Sequence, residues 1–206
     1  MKKILFFGDS NTWGHDPKDG TRLEKRWTVL LKELLPDCMI CDDGVCGRAT
    51  KYRVPDNEET DGITIFKKKY LNGKSDYDLV VIMLGTNDTL NCNNYTPFET
   101  SENLRTMINE YRKMYGNTKF LLVSPIHIDK CCMNHPIFSE LYSIKSVNNS
   151  KEFAKYISKI ASEENTFFMD ASKYASPSPI DGIHMDEEEH QKLSEAFKQK
   201  IISILG

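Results

Sequence analysis

Short apolar runs alternate along the chain with longer stretches in which apolar residues return every third or fourth position. Residues 3–7, built on Ile4-Leu5-Phe6-Phe7, read as a first strand. Over 26–35, Trp27, Leu30, Leu31 and Leu34 fall at helical spacing, and Pro36 stops the pattern. A second strand is predicted at 38–41, followed by a helix over 60–71 with Ile63, Phe66 and Tyr70 on one face. Residues 78–84, DLVVIML, are apolar at six consecutive positions, the pattern of a central parallel strand buried on both faces. A helix over 100–115 turns Leu104, Ile108 and Tyr111 inward, and a fourth strand follows at 119–123. Phe153, Ile157 and Ile160 stripe a helix over 146–163, 166–169 is a short fifth strand, and Glu187–Leu205 is a closing amphipathic helix. Residues 125–149 show no clear period.

Strand then helix, five times over, is the grammar of an α/β fold whose right-handed crossovers put helices on both faces of a parallel sheet. The expectation is a three-layer α/β/α sandwich with a five-stranded parallel sheet, forming one domain over 1–206. In such sheets ligands bind outside the carboxyl ends of the strands, so the residues after each strand matter most. They are Gly8-Asp9-Ser10-Asn11, then Asp42-Asp43-Gly44-Val45-Cys46-Gly47-Arg48, then Gly85-Thr86-Asn87-Asp88, then Ser124-Pro125, and one loop beyond the fifth strand Asp181-Gly182-Ile183-His184.

Small and polar types gather at these ends, and they match what acyl transfer requires. Ser10 is the candidate nucleophile and His184 the candidate base, since an imidazole takes and returns a proton near neutral pH. Asp181, three residues earlier, is placed to orient the ring and stabilise its charged form. The backbone N–H groups of Ser10 and Gly47 and the side-chain amide of Asn87 are candidates for an oxyanion hole. Each such donor is worth about 10²–10³ in rate. Asp9 reads as a structural acceptor for neighbouring backbone, and Asp88 as a helix-capping residue.

Four blocks in this order, GDSNTWG, DDGVCGRAT, GTND and DGIH, resemble the SGNH hydrolases, also called GDSL-type esterases or lipases, over nearly the whole chain. The resemblance implies a flavodoxin-like sheet, Ser10, Asp181 and His184 as a catalytic triad, and Ser10, Gly47 and Asn87 as the oxyanion hole. GDS-x-TWG, IMLGTNDT and DGIH look most like the arylesterase and acyltransferase-like branch, which acts on small acyl groups. Asn11 stands where an apolar residue is common, which predicts a more polar acyl pocket. Trp13, His15 and Ile183 are further wall candidates, each close in sequence to a catalytic candidate. Phe138 is the wall candidate from 125–149, a connection long enough to line a pocket.

The function expected is hydrolysis of small-acyl carboxylic esters through a covalent acyl-enzyme, with acyl transfer to alcohols as a variant of the same chemistry. A carbohydrate O-deacetylase would use the same residues. A non-catalytic flavodoxin-like protein binding a phosphate or nucleotide would need a phosphate loop after the first strand, and no G-x-x-x-x-G-K-[ST] occurs. A catalytically silent scaffold that binds a partner would leave Ser10 unreactive toward a fluorophosphonate.

Composition narrows the picture further. A net charge of −3 offers no footprint for nucleic acid, and Lys67-Lys68-Lys69 reads as the wet face of a helix. No apolar run approaches the ~18 residues of a membrane span, and the first one ends too soon for a signal peptide. Cys38 and Cys41 form a C-x-x-C, but on a strand their thiols face opposite sides. Reduced thiols and a cytoplasmic location follow. His15, His127, His135 and His190 make no ligand set, His190 reading as a surface residue, so neither a metal nor a cofactor is expected. The partner expected is a small-molecule ester; the pattern is compatible with a homo-oligomer and does not require one.

Overall fold

A computed structural model describes residues 1–54, 57–74 and 76–206. Five parallel strands run β1 Lys2–Gly8, β2 Cys38–Gly44, β3 Leu79–Met83, β4 Lys119–Ser124 and β5 Phe167–Asp170. Their order across the sheet is β2-β1-β3-β4-β5. This is the flavodoxin-like order, whose switch point lies between β1 and β3, where ligand crevices open.

Because side chains alternate along a strand, successive residues feed opposite cores. Ile4 and Phe6 of β1, with Leu79, Val81 and Met83 of β3, pack beneath α2 (Trp27–Leu34) and α7 (Glu187–Leu205) through Trp27, Leu31, Leu193 and Phe197. Leu5, Phe7, Val80 and Ile82 pack on the other face against α3 (Gly62–Tyr70), α4 (Pro97–Arg112) and α6 (Ile144–Glu163). The result is the expected three layers. Each fully buried large aliphatic or aromatic side chain contributes about 1.5–3 kcal/mol. Cys38 joins the first core and Cys41 the second, so the C-x-x-C does straddle the sheet.

Local chemistry moves some boundaries. β2 continues to Gly44 because its register with β1 holds from Lys2↔Cys38 through Gly8↔Gly44. α4 starts at Pro97, three residues before the periodicity suggests. Thr96 and Glu99 form a reciprocal capping box there, and Pro97 occupies a position whose missing N–H costs nothing. Residues 125–149 contain a 3-10 turn, Lys130–Asn134, and a short helix α5, Phe138–Leu141, and lead into α6 at Ile144. Single turns have no room to show a period, which is why the pattern is silent there. One further short helix, α1 (Ser10–Trp13), follows β1 directly.

His190 is not a surface residue. It is fully buried on α7, and its Nδ1 accepts the Trp27 N–H at 3.3 Å, where α2 packs against α7. Burial, the main cause, pushes its pKa down to about 3, so the ring is neutral. No helix among the described residues is long and apolar enough to cross a membrane.

Candidate active site

The strand register brings the candidate residues together. Gly8 of β1 pairs with Gly44 of β2 and with Met83 of β3, so these carboxyl ends are level. Ser10, Gly47 and Asn87 lie a few residues beyond that line, around the switch point. Asp9 is the N-cap of α1, its Oδ1 accepting the Asn11 N–H at 3.0 Å, and Ser10 is the first helical residue. That position leaves the Ser10 N–H outside the intrahelical bonding pattern. Asp9 is thus the backbone acceptor expected from sequence. Burial outweighs the Asn11 N–H, the His184 and Arg48 charges and the nearby Thr86 hydroxyl to push its pKa up to about 6.

The fourth block arrives from the far end of the chain. His184 Nε2 lies 2.9 Å from Ser10 Oγ, and His184 Nδ1 lies 2.6 Å from Asp181 Oδ2. Asp181 Oδ1 also accepts the Ile183 and His184 N–H groups at 2.8 and 2.9 Å. Burial alone would raise the Asp181 pKa, but the His184 hydrogen bond and charge and the two backbone donors outweigh it and hold the carboxyl below its usual range. An ionised carboxylate facing Nδ1 keeps a proton on that nitrogen and leaves Nε2 to accept from Ser10.

The loop that presents these two residues is held on several sides. Ser178 N–H donates to His184 O, Gly182 N–H to Ser178 O, and Asp129 N–H to Gly182 O. Gly182 has φ +72, and a Cβ there would come within 2.7 Å of Cys132 N. Only glycine fits both the turn and its neighbour. Two residues beyond His184, Asp186 caps α7 by accepting the Glu189 N–H.

Asn11 has a different place from the one its sequence position suggests. Its side chain is buried, with Nδ2 donating to Ile183 O and Oδ1 accepting the Met185 N–H, each at 3.2 Å. Both ends of the amide tie the Ser10 turn to the His184 loop, so the polar acyl pocket inferred from Asn11 does not follow. Ile183 is likewise buried, in an apolar cluster with Leu90, Ile128, Cys132, Tyr142 and Val147. His15 and Phe138 do flank the site. The His15 ring lies against His184, tilted by 31° with centroids 4.0 Å apart, and Phe138 approaches it at 5.5 Å. Burial, with the His184 charge, lowers the His15 pKa to about 4. Trp13 is half-buried beside His15, at 6.3 Å, with the Arg22 guanidinium 5.3 Å from its ring.

Asn87 sits in a 3-10 turn, Thr86–Thr89, its Nδ2 donating to Arg48 O at 3.1 Å and its Oδ1 accepting from Tyr142 Oη at 3.1 Å. The Arg48 contact brings Asn87 beside Gly47. Gly47 has φ +79, and a Cβ there would touch nothing closer than 3.8 Å, so backbone conformation rather than space calls for glycine. Asp88 is not a helix cap. It is buried, with Oδ2 accepting the Thr50 N–H at 2.9 Å and Oδ1 accepting the hydroxyls of Thr50 and Thr100. It therefore fastens the segment after Gly47 to the loop after β3.

Two residues of the site went unread in the sequence. Arg48 is fully buried, donating to the carbonyls of Gly8 and Asp43, to Glu59 O and to Asp43 Oδ1, and so locks β1, β2 and the Gly47 turn together. An arginine inside a small-residue loop, five positions after Asp43, was a signal available for it. Tyr142 had none, since its partner lies 55 residues away. His15, Asp181 and His184 offer ligand atoms within 4.8 Å of one another. Asp181 Oδ2 and both His184 nitrogens are already paired along the Ser10–His184–Asp181 line, however, so a metal here would have to displace those bonds and these residues fit one poorly.

The profile of the family described as GDSL-like Lipase/Acylhydrolase matches residues 4–197. The chain belongs to that family. Among solved structures, a carbohydrate acetylesterase from Sinorhizobium meliloti is similar at 28% identity and a TM-score of 0.90, with 100% of both chains covered. An aryl esterase from M. smegmatis is 30% identical with a TM-score of 0.89, again over 100% of each chain. A second Sinorhizobium meliloti structure, a carbohydrate acetylesterase family member, matches at 26% identity and a TM-score of 0.87, with 100% of both chains covered. No curated protein sequence matches the chain. As a member of the GDSL-like family, the chain is a carboxylic ester hydrolase of α/β architecture.

Proposed function

We propose that this esterase hydrolyses esters of small acyl groups through a covalent acyl-enzyme on Ser10. The observation that carries the reading is the unbroken line from Ser10 Oγ through the His184 ring to Asp181, at 2.9 and 2.6 Å. His184 Nε2 takes the Ser10 proton as Oγ bonds to the ester carbonyl carbon. The oxygen of that carbonyl gains negative charge and is held by the Ser10 and Gly47 N–H groups and the Asn87 amide. When the ester C–O bond breaks, the alcohol leaves with the proton from His184. Water then attacks the acyl-enzyme, giving one proton to His184, and the acid departs as that proton returns to Ser10. An alcohol in place of water gives a new ester instead.

Rings of His15 and Phe138 close to the base support a preference for small acyl groups. The whole reaction is assigned to one domain over 1–206. A cytoplasmic location is the one in which six unpaired cysteines, with Cys46 and Cys92 exposed, persist as thiols. Ser10→Ala should abolish turnover of p-nitrophenyl acetate and labelling by a fluorophosphonate; wild-type turnover in that variant refutes the assignment. A p-nitrophenyl series should fall off beyond butyrate. The second reading, a carbohydrate O-deacetylase, is favoured by the two Sinorhizobium meliloti neighbours. Acetate release from acetylated sugars, compared with that from aryl esters, separates the two.

A further inference from the structure

We infer that Tyr142 is a positioning residue that sets the side-chain amide of Asn87 for the oxyanion. The inference rests on the proposed role of Asn87 as an oxyanion donor. An asparagine amide has a donating end and an accepting end, and it serves that role only if the donating end is turned the right way. Here chemistry fixes the orientation. One end lies 3.1 Å from the carbonyl oxygen of Arg48, which can only accept, so that end is Nδ2. The other end is therefore Oδ1, 3.1 Å from Tyr142 Oη, and a phenol donates to it.

Burial holds the Tyr142 hydroxyl protonated, well above the usual tyrosine range, so the donor persists wherever the enzyme works. Arg48 takes one N–H of the amide and leaves the second uncommitted by these two bonds. A hydrogen bond into Oδ1 acts on that second N–H in two ways. It resists rotation of the amide, and it draws electron density toward oxygen, which strengthens the N–H as a donor.

Tyr142 is itself firmly held. Its N–H donates to Phe138 O at 2.9 Å, and its ring is buried against Leu90, Val147 and Ile183. Asn91, just beyond the Asn87 turn, binds the same segment twice, through N–H to Leu141 O and Nδ2 to Glu140 O. The connection after β4 therefore does more than flank the site through Phe138: it is bolted to the loop that carries the oxyanion amide. Tyr142 acts on the reaction through its bond to Asn87.

Tyr142→Phe removes one oxygen and keeps the ring volume. For p-nitrophenyl acetate, kcat/KM should fall roughly three- to tenfold, the size of one lost hydrogen bond. Active sites are counted by fluorophosphonate titration, so that any misfolded fraction does not enter the rate. Affinity for a trifluoromethyl ketone, which forms a tetrahedral adduct on Ser10, should weaken in parallel, while binding of an unreactive ether analogue of the substrate stays unchanged. In an Asn87→Ala background the same substitution should have no further effect. Wild-type kcat/KM in Tyr142→Phe, or an equal loss in both backgrounds, overturns the proposal. If Asn87→Ala alone retains full activity, the reading of Asn87 as a donor fails first and takes this inference with it.

Discussion

Replacing Asp88 with asparagine should make the protein's stability less dependent on pH. Asp88 is fully buried, and burial, opposed by the Thr50 and Thr100 hydrogen bonds, raises its pKa from 3.8 to about 7. The folded state thus keeps this proton over a range in which the unfolded chain has lost it. Below the unfolded value both states are protonated and there is no penalty. As pH rises toward 7, stability falls, and above 7 both states are ionised and the full penalty stands. At about 1.36 kcal/mol per pH unit, the shift from 3.8 to about 7 costs about 4 kcal/mol in total. About 3 kcal/mol of that falls between roughly pH 5 and roughly pH 8.5, where the last two units are lost. Asparagine is neutral throughout, and it can accept the Thr50 N–H with its oxygen while turning its NH₂ toward the two hydroxyls. Urea unfolding followed by tryptophan fluorescence at the two pH values gives the comparison. The advantage of Asp88→Asn over wild type should grow by about 3 kcal/mol from the acid to the alkaline condition. Parallel pH dependences in the two proteins would show that the carboxyl does not titrate as its burial requires. Asp9, raised to about 6 in the same sense, is present in both and largely cancels.

Other substitutions test the site itself. Asp181→Asn should leave the unfolding midpoint close to wild type yet lower kcat by up to ~10⁴, because the amide no longer holds the His184 tautomer; steady-state rates and circular dichroism on the same sample check both halves. Asn11→Leu should destabilise by roughly 2–4 kcal/mol, since it removes two buried hydrogen bonds and strands Ile183 O and the Met185 N–H; an unchanged urea midpoint would show that the two loops do not depend on this tie. His15→Phe should retain most activity and His15→Ala should lose roughly tenfold in kcat, if the ring contact at 4.0 Å and not the imidazole nitrogens is what holds His184 in line; the reverse ranking assigns the nitrogens the work.

The order of strands and helices was readable from periodicity alone, because a period of two or of 3.6 is a local property and each core-facing position carries it. Chain order with right-handed crossovers carried the same reading to helices on both faces. The candidate residues Ser10, Gly47, Asn87, Asp181 and His184 were readable because strand ends in a parallel sheet converge, so motifs far apart in sequence share one crevice. Asn11, Asp88, His190 and Tyr142 were not readable in this way. Each is a polar residue whose meaning lies in one or two partners elsewhere in the chain: Ile183 and Met185, Thr50 and Thr100, Trp27, and Asn87 respectively. A buried polar group must find a hydrogen bond, but nothing in a linear pattern says which residue will provide it. Hydrophobic patterning along the chain determined the layers and the end of the sheet where the site forms; only the packed tertiary structure decided which polar atoms meet there, because a hydrogen bond depends on distances of a few tenths of an ångström that packing alone sets.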